Sequence, residues 1–282
     1  MKITRLFTAY EMTRPWWLVI VFLLSCGKKE RSDTGLPKEQ ITTLSCYDGQ
    51  PKMSPDGKFI AYISTQAGDR HIWMMDVKEK TKAPLTMNEG VDEGADFSPD
   101  NERIVFSSTI NGQSDLWIID QKEELVQLTK TDQADEFSPA WSPDGQRIIF
   151  VRRDSTHRYQ ICTVNVKNFS EVTGLFQDTT ELDCPVFHPG ENKIYFERKE
   201  KDRFHIYTLA EGHRIAPFSR SAVNERNPAV SRDGKWLTFQ STREGHPCDL
   251  QYVIRVDGSQ ARRISPAGGK TTCGWFLNDG RR

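Results

Sequence analysis

Short apolar runs recur along this chain in a fixed order, and each group opens on the same polar corner. The corners read Ser54-Pro55-Asp56-Gly57-Lys58, Ser98-Pro99-Asp100-Asn101-Glu102 and Ser142-Pro143-Asp144-Gly145-Gln146. Looser copies stand at His188-Pro189-Gly190, Ser231-Arg232-Asp233-Gly234-Lys235 and Leu277-Asn278-Asp279-Gly280. Their starting positions are separated by 44, 44, 46, 43 and 46 residues. Pro presets φ at the first corner of a tight turn, Asp bonds its own backbone, and Gly takes the left-handed position. Such a turn joins two antiparallel strands.

The strand after each turn repeats one pattern. Ile60, Ile104, Ile148, Ile194 and Leu237 stand six residues past the turn's first residue, and Tyr62, Phe106, Phe150, Phe196 and Phe239 stand eight past it. Residues two apart share a strand face. The residues between them, Ala61, Val105, Ile149, Tyr195 and Thr238, are mostly apolar too, which predicts burial on both faces. A further strand carries Ile72-Trp73-Met74-Met75, Leu116-Trp117-Ile118-Ile119 and their counterparts, and an outer strand closes on Leu85-Thr86, Leu128-Thr129, Phe218-Ser219 or Ile264-Ser265. A period of this length predicts an all-β propeller of four-stranded blades. A β-sandwich, the alternative, has no need of the same turn at a constant interval.

The SPDGK turn, the aliphatic-aromatic strand, the Trp-centred strand and the closing Leu-Thr resemble the propeller repeats of the TolB family. Related repeats occur in tricorn-like and dipeptidyl-peptidase-like proteins. The resemblance covers about residues 38 to 282. It implies a TolB-like scaffold in the bacterial envelope that binds another protein or a peptide. The expected fold has five complete blades plus a partial sixth formed by the two termini. Cys273-Gly274-Trp275-Phe276 would supply its inner strand and Gln40-Ile41-Thr42 its outer strand. Two middle strands are missing from that blade, so a truncated chain and a five-bladed ring with a rudimentary sixth both stand.

The first residues follow another pattern. Lys2, Arg5 and Arg14 precede an apolar run from Trp16 to Leu24, too short to span a bilayer. This describes a secretory leader over residues 1–25. Leu23-Leu24-Ser25-Cys26 resembles a bacterial lipobox, which implies lipidation at Cys26; an ordinary leader with an incidental cysteine is the alternative. Gly27 in place of Asp favours the outer membrane, facing the periplasm. Residues 26–37 are polar and read as a flexible tether, with the propeller over 38–282.

Charge narrows the partners. The formal net charge is −1, and near −3 without residues 1–25, too balanced for nucleic acid. Five cysteines follow Cys26. Cys162 replaces a strand-centre residue and reads as a small buried hydrophobe. Cys46 and Cys273 fall where the termini meet and could form a disulfide, with Cys248–Cys273 as a rival pairing.

The sequence points to no catalytic residue, cofactor or metal site. There is no Gly-x-Ser-x-Gly elbow, and Gly268-Gly269-Lys270-Thr271 lacks the first glycine of a phosphate loop. The recurring chemistry is acidic: Asp48, Asp92, Glu136 and Glu225 stand six residues before their turns, with Leu182 at the fourth position. They are expected to ring one mouth of the central channel, as a binding surface or as acids that hold their own loops. Arg152, Arg153, Arg198 and Arg243 are expected at the opposite face as solvated loop tips. The rival function is a propeller enzyme, a lyase or hydrolase acting on carbohydrate with a channel metal, which needs histidines converging on the axis.

Overall fold

A computed structural model describes the backbone of residues 19–24 and 270–276, and residues 46–219, 221–243 and 249–265 in full apart from the Ser170 side chain. Five four-stranded antiparallel sheets follow one another along it. Blade one is β2 (Asp48–Met53), β3 (Phe59–Ser64), β4 (His71–Asp76) and β5 (Lys82–Pro84). Blade two is β6 (Asp92–Phe97), β7 (Arg103–Ser108), β8 (Asp115–Asp120) and β9 (Leu125–Gln127). Blade three is β10 (Ala134–Trp141), β11 (Arg147–Asp154), β12 (Tyr159–Asn165) and β13 (Asn168–Asp178). Blade four is β14 (Leu182–Phe187), β15 (Lys193–Glu200), β16 (Arg203–Ala210) and β17 (Arg214–Pro217). Blade five is β18 (Glu225–Val230), β19 (Trp236–Ser241), β20 (Leu250–Arg255) and β21 (Arg262–Arg263).

The turn chemistry is the same in four blades. Ser142 Oγ donates to Asp144 Oδ1 at 2.5 Å, Asp144 Oδ1 accepts from Gln146 N at 3.0 Å, and Ser142 Oγ accepts from Arg147 N at 2.9 Å. Ser54, Ser98 and Ser231 make the same three bonds. Asn101 takes the left-handed position of Gly57, Gly145 and Gly234, with φ of 65°. In blade four His188 does this work: its Nδ1 accepts from Gly190 N at 3.2 Å, and its Nε2 meets the Gly234 carbonyl at 2.9 Å. The closing hydroxyls tie outer strands back, Thr86 to Ile72 N, Thr129 to Leu116 N and Ser265 to Gln251 N.

The two strand faces divide between neighbouring blades, as the alternation predicts. Ile104 and Phe106 pack back against Phe59, Ala61, Ile72 and Met74 of blade one. Val105 and Leu116 pack forward with Ile148, Phe150 and Cys162 of blade three. The same interlock joins blades three and four, and four and five. Cys162 is fully buried, and burial pushes its thiol up to about 12. The core is therefore a set of seams between sheets. Hydrogen bonds cross the seams at repeat-length separations, such as Asp56 N to Asn101 Oδ1 and Trp141 N to Asp96 Oδ2.

The first strands, β2, β6, β10, β14 and β18, touch in succession around the axis. β22 (Lys270–Phe276) lies against β18, β19 and β20 on one side and β2 on the other. It pairs antiparallel with β1 (Val19–Leu24) in a two-stranded sheet. The sequence assigns Val19–Leu24 to the apolar core of a leader; a short run rich in Val, Ile, Leu and Phe suits a strand equally well. Cys26, Gln40-Ile41-Thr42, Cys248 and the Leu277-Asn278-Asp279-Gly280 turn lie outside the described residues.

Candidate functional site: the channel and its acids

Asp48, Asp92 and Glu225 begin their blades' first strands, and Glu136 is the third residue of β10. Asp92, Glu136 and Glu225 are fully buried. Asp92 Oδ1 and Oδ2 accept from Asn88 Nδ2, at 3.0 and 2.9 Å, and Oδ2 also meets His71 Nδ1 at 3.3 Å. Glu136 Oε1 accepts from Arg152 Nε and Nη2, at 3.0 and 2.7 Å. Burial holds the Glu136 carboxyl above its usual range, against the pull of Thr129 and Arg152. Glu225 is held by Ser219 Oγ and Arg243 Nη2. Asp48 is half-buried and accepts from Cys46 Sγ at 3.7 Å. Cys46 is a free thiol in this structure. The Cys273 side chain lies outside the described residues.

The arginines do not lie at the opposite face. An antiparallel hairpin sets the start of one strand beside the end of the next, so Glu136 is the register partner of Arg152. Arg243, just past β19, reaches Glu225 in the same way. In blade four, where Leu182 replaces the acid, its register partner Arg198 turns instead to Asp178 at 2.8 Å.

Further along each first strand the register slips. Each slip holds a residue in the left-handed region: Gln50 (44°), Gly94 (65°), Ser138 (52°), Cys184 (46°) and Asn227 (52°). Such bulges leave one residue unpaired and turn the strand. Pro follows the bulge residue in all but the second blade, at a point in the strand where its missing N–H leaves no ladder bond unmade. The bulges link blade to blade: Gly94 N donates to Gln50 Oε1 at 3.0 Å, Ser138 Oγ to Asp183 Oδ1 at 2.5 Å, and Cys184 Sγ to Asn227 Oδ1 at 3.5 Å.

Charged groups gather beside these bulges. Lys52 Nζ lies 3.6 Å from Asp96 Oδ1. Arg226 lies between two acids, with Nε 2.9 Å from Glu197 Oε2 and Nη2 3.5 Å from Asp183 Oδ2. Glu197 is fully buried and also accepts from Asn227 N at 2.5 Å. Burial, aided by the neighbouring Asp183 charge, outweighs Arg226 and pushes the Glu197 carboxyl up to about 7. Burial likewise raises Asp96 despite Lys52 and the Trp141 N–H, and drives the Cys184 thiol well above its ordinary range.

Asp183, Cys184 and Glu197 bring ligand atoms within 4.8 Å of one another. Arg226 reaches both carboxylates of this set. Among the described residues no such group contains a histidine. Sequence reading passed over Lys52, Asp96, Cys184, Glu197 and Arg226. A signal was present: the bulge residue always stands four before the turn's first residue, with Pro three before it in four of the five blades.

The fold has close likenesses. The structure of TolB from Acinetobacter baumannii superposes with a TM-score of 0.71 at 19% identity, covering 84% of this chain and 59% of that one. A protein assigned as TolB from Agrobacterium tumefaciens gives 0.70 at 18% identity, covering 83% and 88%. An oligogalacturonate lyase solved in complex with manganese gives 0.63 at 15% identity, covering 88% and 74%. This chain thus spans less than two thirds of the Acinetobacter protein. No curated protein matches it by sequence. Residues 33–203 match the TolB beta propeller domain, PD40. That match covers more than half of the chain, so the protein belongs to the TolB β-propeller family.

Proposed function

We propose that this propeller is a non-catalytic binding scaffold of the bacterial envelope, anchored by lipid on Cys26, that receives a segment of another protein or a peptide in its channel. The observation that carries the reading is the half-exposed set of opposite charges beside the bulges: the side chains of Lys52, Asp96, Asp183 and Arg226 are 20–35% exposed. Fixed, mixed charge selects a polar segment of complementary charge. Asp48, Asp92, Glu136 and Glu225 frame the approach, and their bonds to Asn88, Arg152 and Arg243 hold the loops around it rigid.

The test is site-specific photo-crosslinking in intact cells, with the photoreactive residue at position 52, or at position 126 on the exposed outer strand as control. A discrete protein adduct from position 52 alone is expected. Equal adducts from both positions, or none from position 52, would reject the channel as the docking place. The carbohydrate-enzyme reading makes a different demand: stoichiometric manganese in the purified protein, with cleavage of an oligosaccharide.

A further inference from the structure

The seam between blades one and two lacks a side chain that the next two seams possess. The residue five past each turn's first residue is Phe59, Arg103, Arg147, Lys193 or Trp236, and the residue just before each turn is Met53, Phe97, Trp141, Phe187 or Val230. Arg103 lays its guanidinium over the next blade's Trp141, 4.7 Å from the ring centre. Arg147 does the same over Phe187, at 5.5 Å. Where the next blade offers no ring, at Val230, Lys193 turns to Glu191 instead. Between blades one and two the ring is present, as Phe97, but the residue due to cover it is Phe59.

A cavity of about 270 Å³ opens there, at the turn end of the two blades. Phe59, Met74, Leu85 and Phe97 form its apolar floor. Asp56, Asp100, Glu102, Asp120 and Glu123 stand around it. One cation, Arg103, also borders it, but that charge is engaged by Asp100 at 3.6 Å and by Trp141. Lys58 meets Asp56 at 3.1 Å from a half-exposed position, where solvent screens it. Burial works against ionisation of Asp56 and Asp100, but hydrogen bonds from the turn hydroxyls and main chain outweigh it and hold both below the usual carboxylate range.

We propose that this cleft binds an arginine side chain presented by a partner protein, its guanidinium stacked on Phe97 and its charge met by the acidic rim. The occupant takes the place that Arg103 and Arg147 fill from within the chain one and two seams further on. A guanidinium suits the site better than an ammonium because it is flat, weakly hydrated and stacks on a ring face while its edge donates hydrogen bonds. The floor accepts the apolar stem. The surface lies at the turn end of the seam, apart from the channel bulges, so its failure leaves the channel reading untouched.

The experiment uses three peptides, acetyl-Gly-Gly-Xaa-Gly-Gly-amide with arginine, lysine or citrulline at Xaa, titrated into the protein with its methionine and isoleucine methyls observed by NMR. Saturable shifts at Met74 and Ile104 are expected with arginine, several-fold weaker binding with lysine, and none with citrulline. Phe59→Arg supplies the missing side chain from within and should abolish the response while the circular dichroism melt stays cooperative. If that variant does not fold, Glu102→Gln/Glu123→Gln, altered only at exposed positions, should weaken arginine binding about threefold or more. Absent or non-saturating shifts, shifts confined to other methyls, citrulline or lysine binding as tightly as arginine, or full binding by the folded Phe59→Arg protein would each overturn the proposal.

Discussion

Glu197 offers a direct measure of how the channel cluster is balanced. Its carboxyl sits fully buried between Arg226 and Asp183, with Cys184 adjacent and Lys52 across from that thiol. Burial and Asp183 favour the protonated form; Arg226 and the Asn227 N–H favour the carboxylate; the first pair wins, raising the group from 4.5 to about 7. At about 1.4 kcal/mol per tenfold change in proton affinity, that gap amounts to about 3 kcal/mol. The sign follows from proton counting. Between pH 4.5 and 7 the folded state holds this proton and the unfolded chain has lost it, so the contribution is fully present below 4.5 and is lost as pH rises through 7. Glu197→Gln cannot titrate. Urea unfolding of both proteins from pH 4 to 8 should show the variant gaining about 3 kcal/mol on the wild type as pH rises. The comparison cancels the other titrating groups. A difference that stays constant, or one that moves in favour of the wild type, would mean that Arg226 dominates and that the reasoning is wrong.

Ser142→Ala removes a hydroxyl that both donates and accepts within its turn, and should cost about 1–2 kcal/mol in urea unfolding without altering the fold. Phe150→Ala empties a fully buried site in the seam between blades two and three and should cost about 3–5 kcal/mol in the same assay. Glu136→Ala leaves Arg152 without its buried partner and should cost about 3 kcal/mol, far more than an exposed ion pair such as Lys78–Glu79 when tested by Lys78→Ala. In growing cells, radioactive palmitate should label the wild-type protein and miss Cys26→Ala; equal labelling would remove the anchor.

Local rules carried most of the fold. The Ser-Pro-Asp-Gly corner determines its own hydrogen bonds, and a two-residue alternation decides which neighbour each side chain meets. Both depend on a few adjacent residues, so both were legible. The acids were less so. Asp92, Glu136 and Glu225 recur where a mouth was expected, yet their burial depends on what lies across the hairpin. The sixteen-residue step from Glu136 to Arg152 carries that information, but only once strand lengths are known. The channel cluster was harder still. Lys52 and Asp96 stand one repeat apart, as do Asp183 and Arg226, and they meet only because successive blades curl about an axis. Polar residues before a proline look like ordinary loop composition until the bulge turns them inward.

The bonds that stitch neighbouring sheets join residues no more than 46 apart, from His71–Asp92 to His188–Gly234. Each docking event during folding therefore closes a chain loop of modest size. The junctions made by β22 are the exception, since it meets β2 across about 220 residues and pairs with β1 across still more. Closing a loop some five times longer costs about 1.4 kcal/mol more in chain entropy. Those junctions carry the largest entropic debt of any in the circle, which makes them the latest to form and the earliest to part under heat or pulling force.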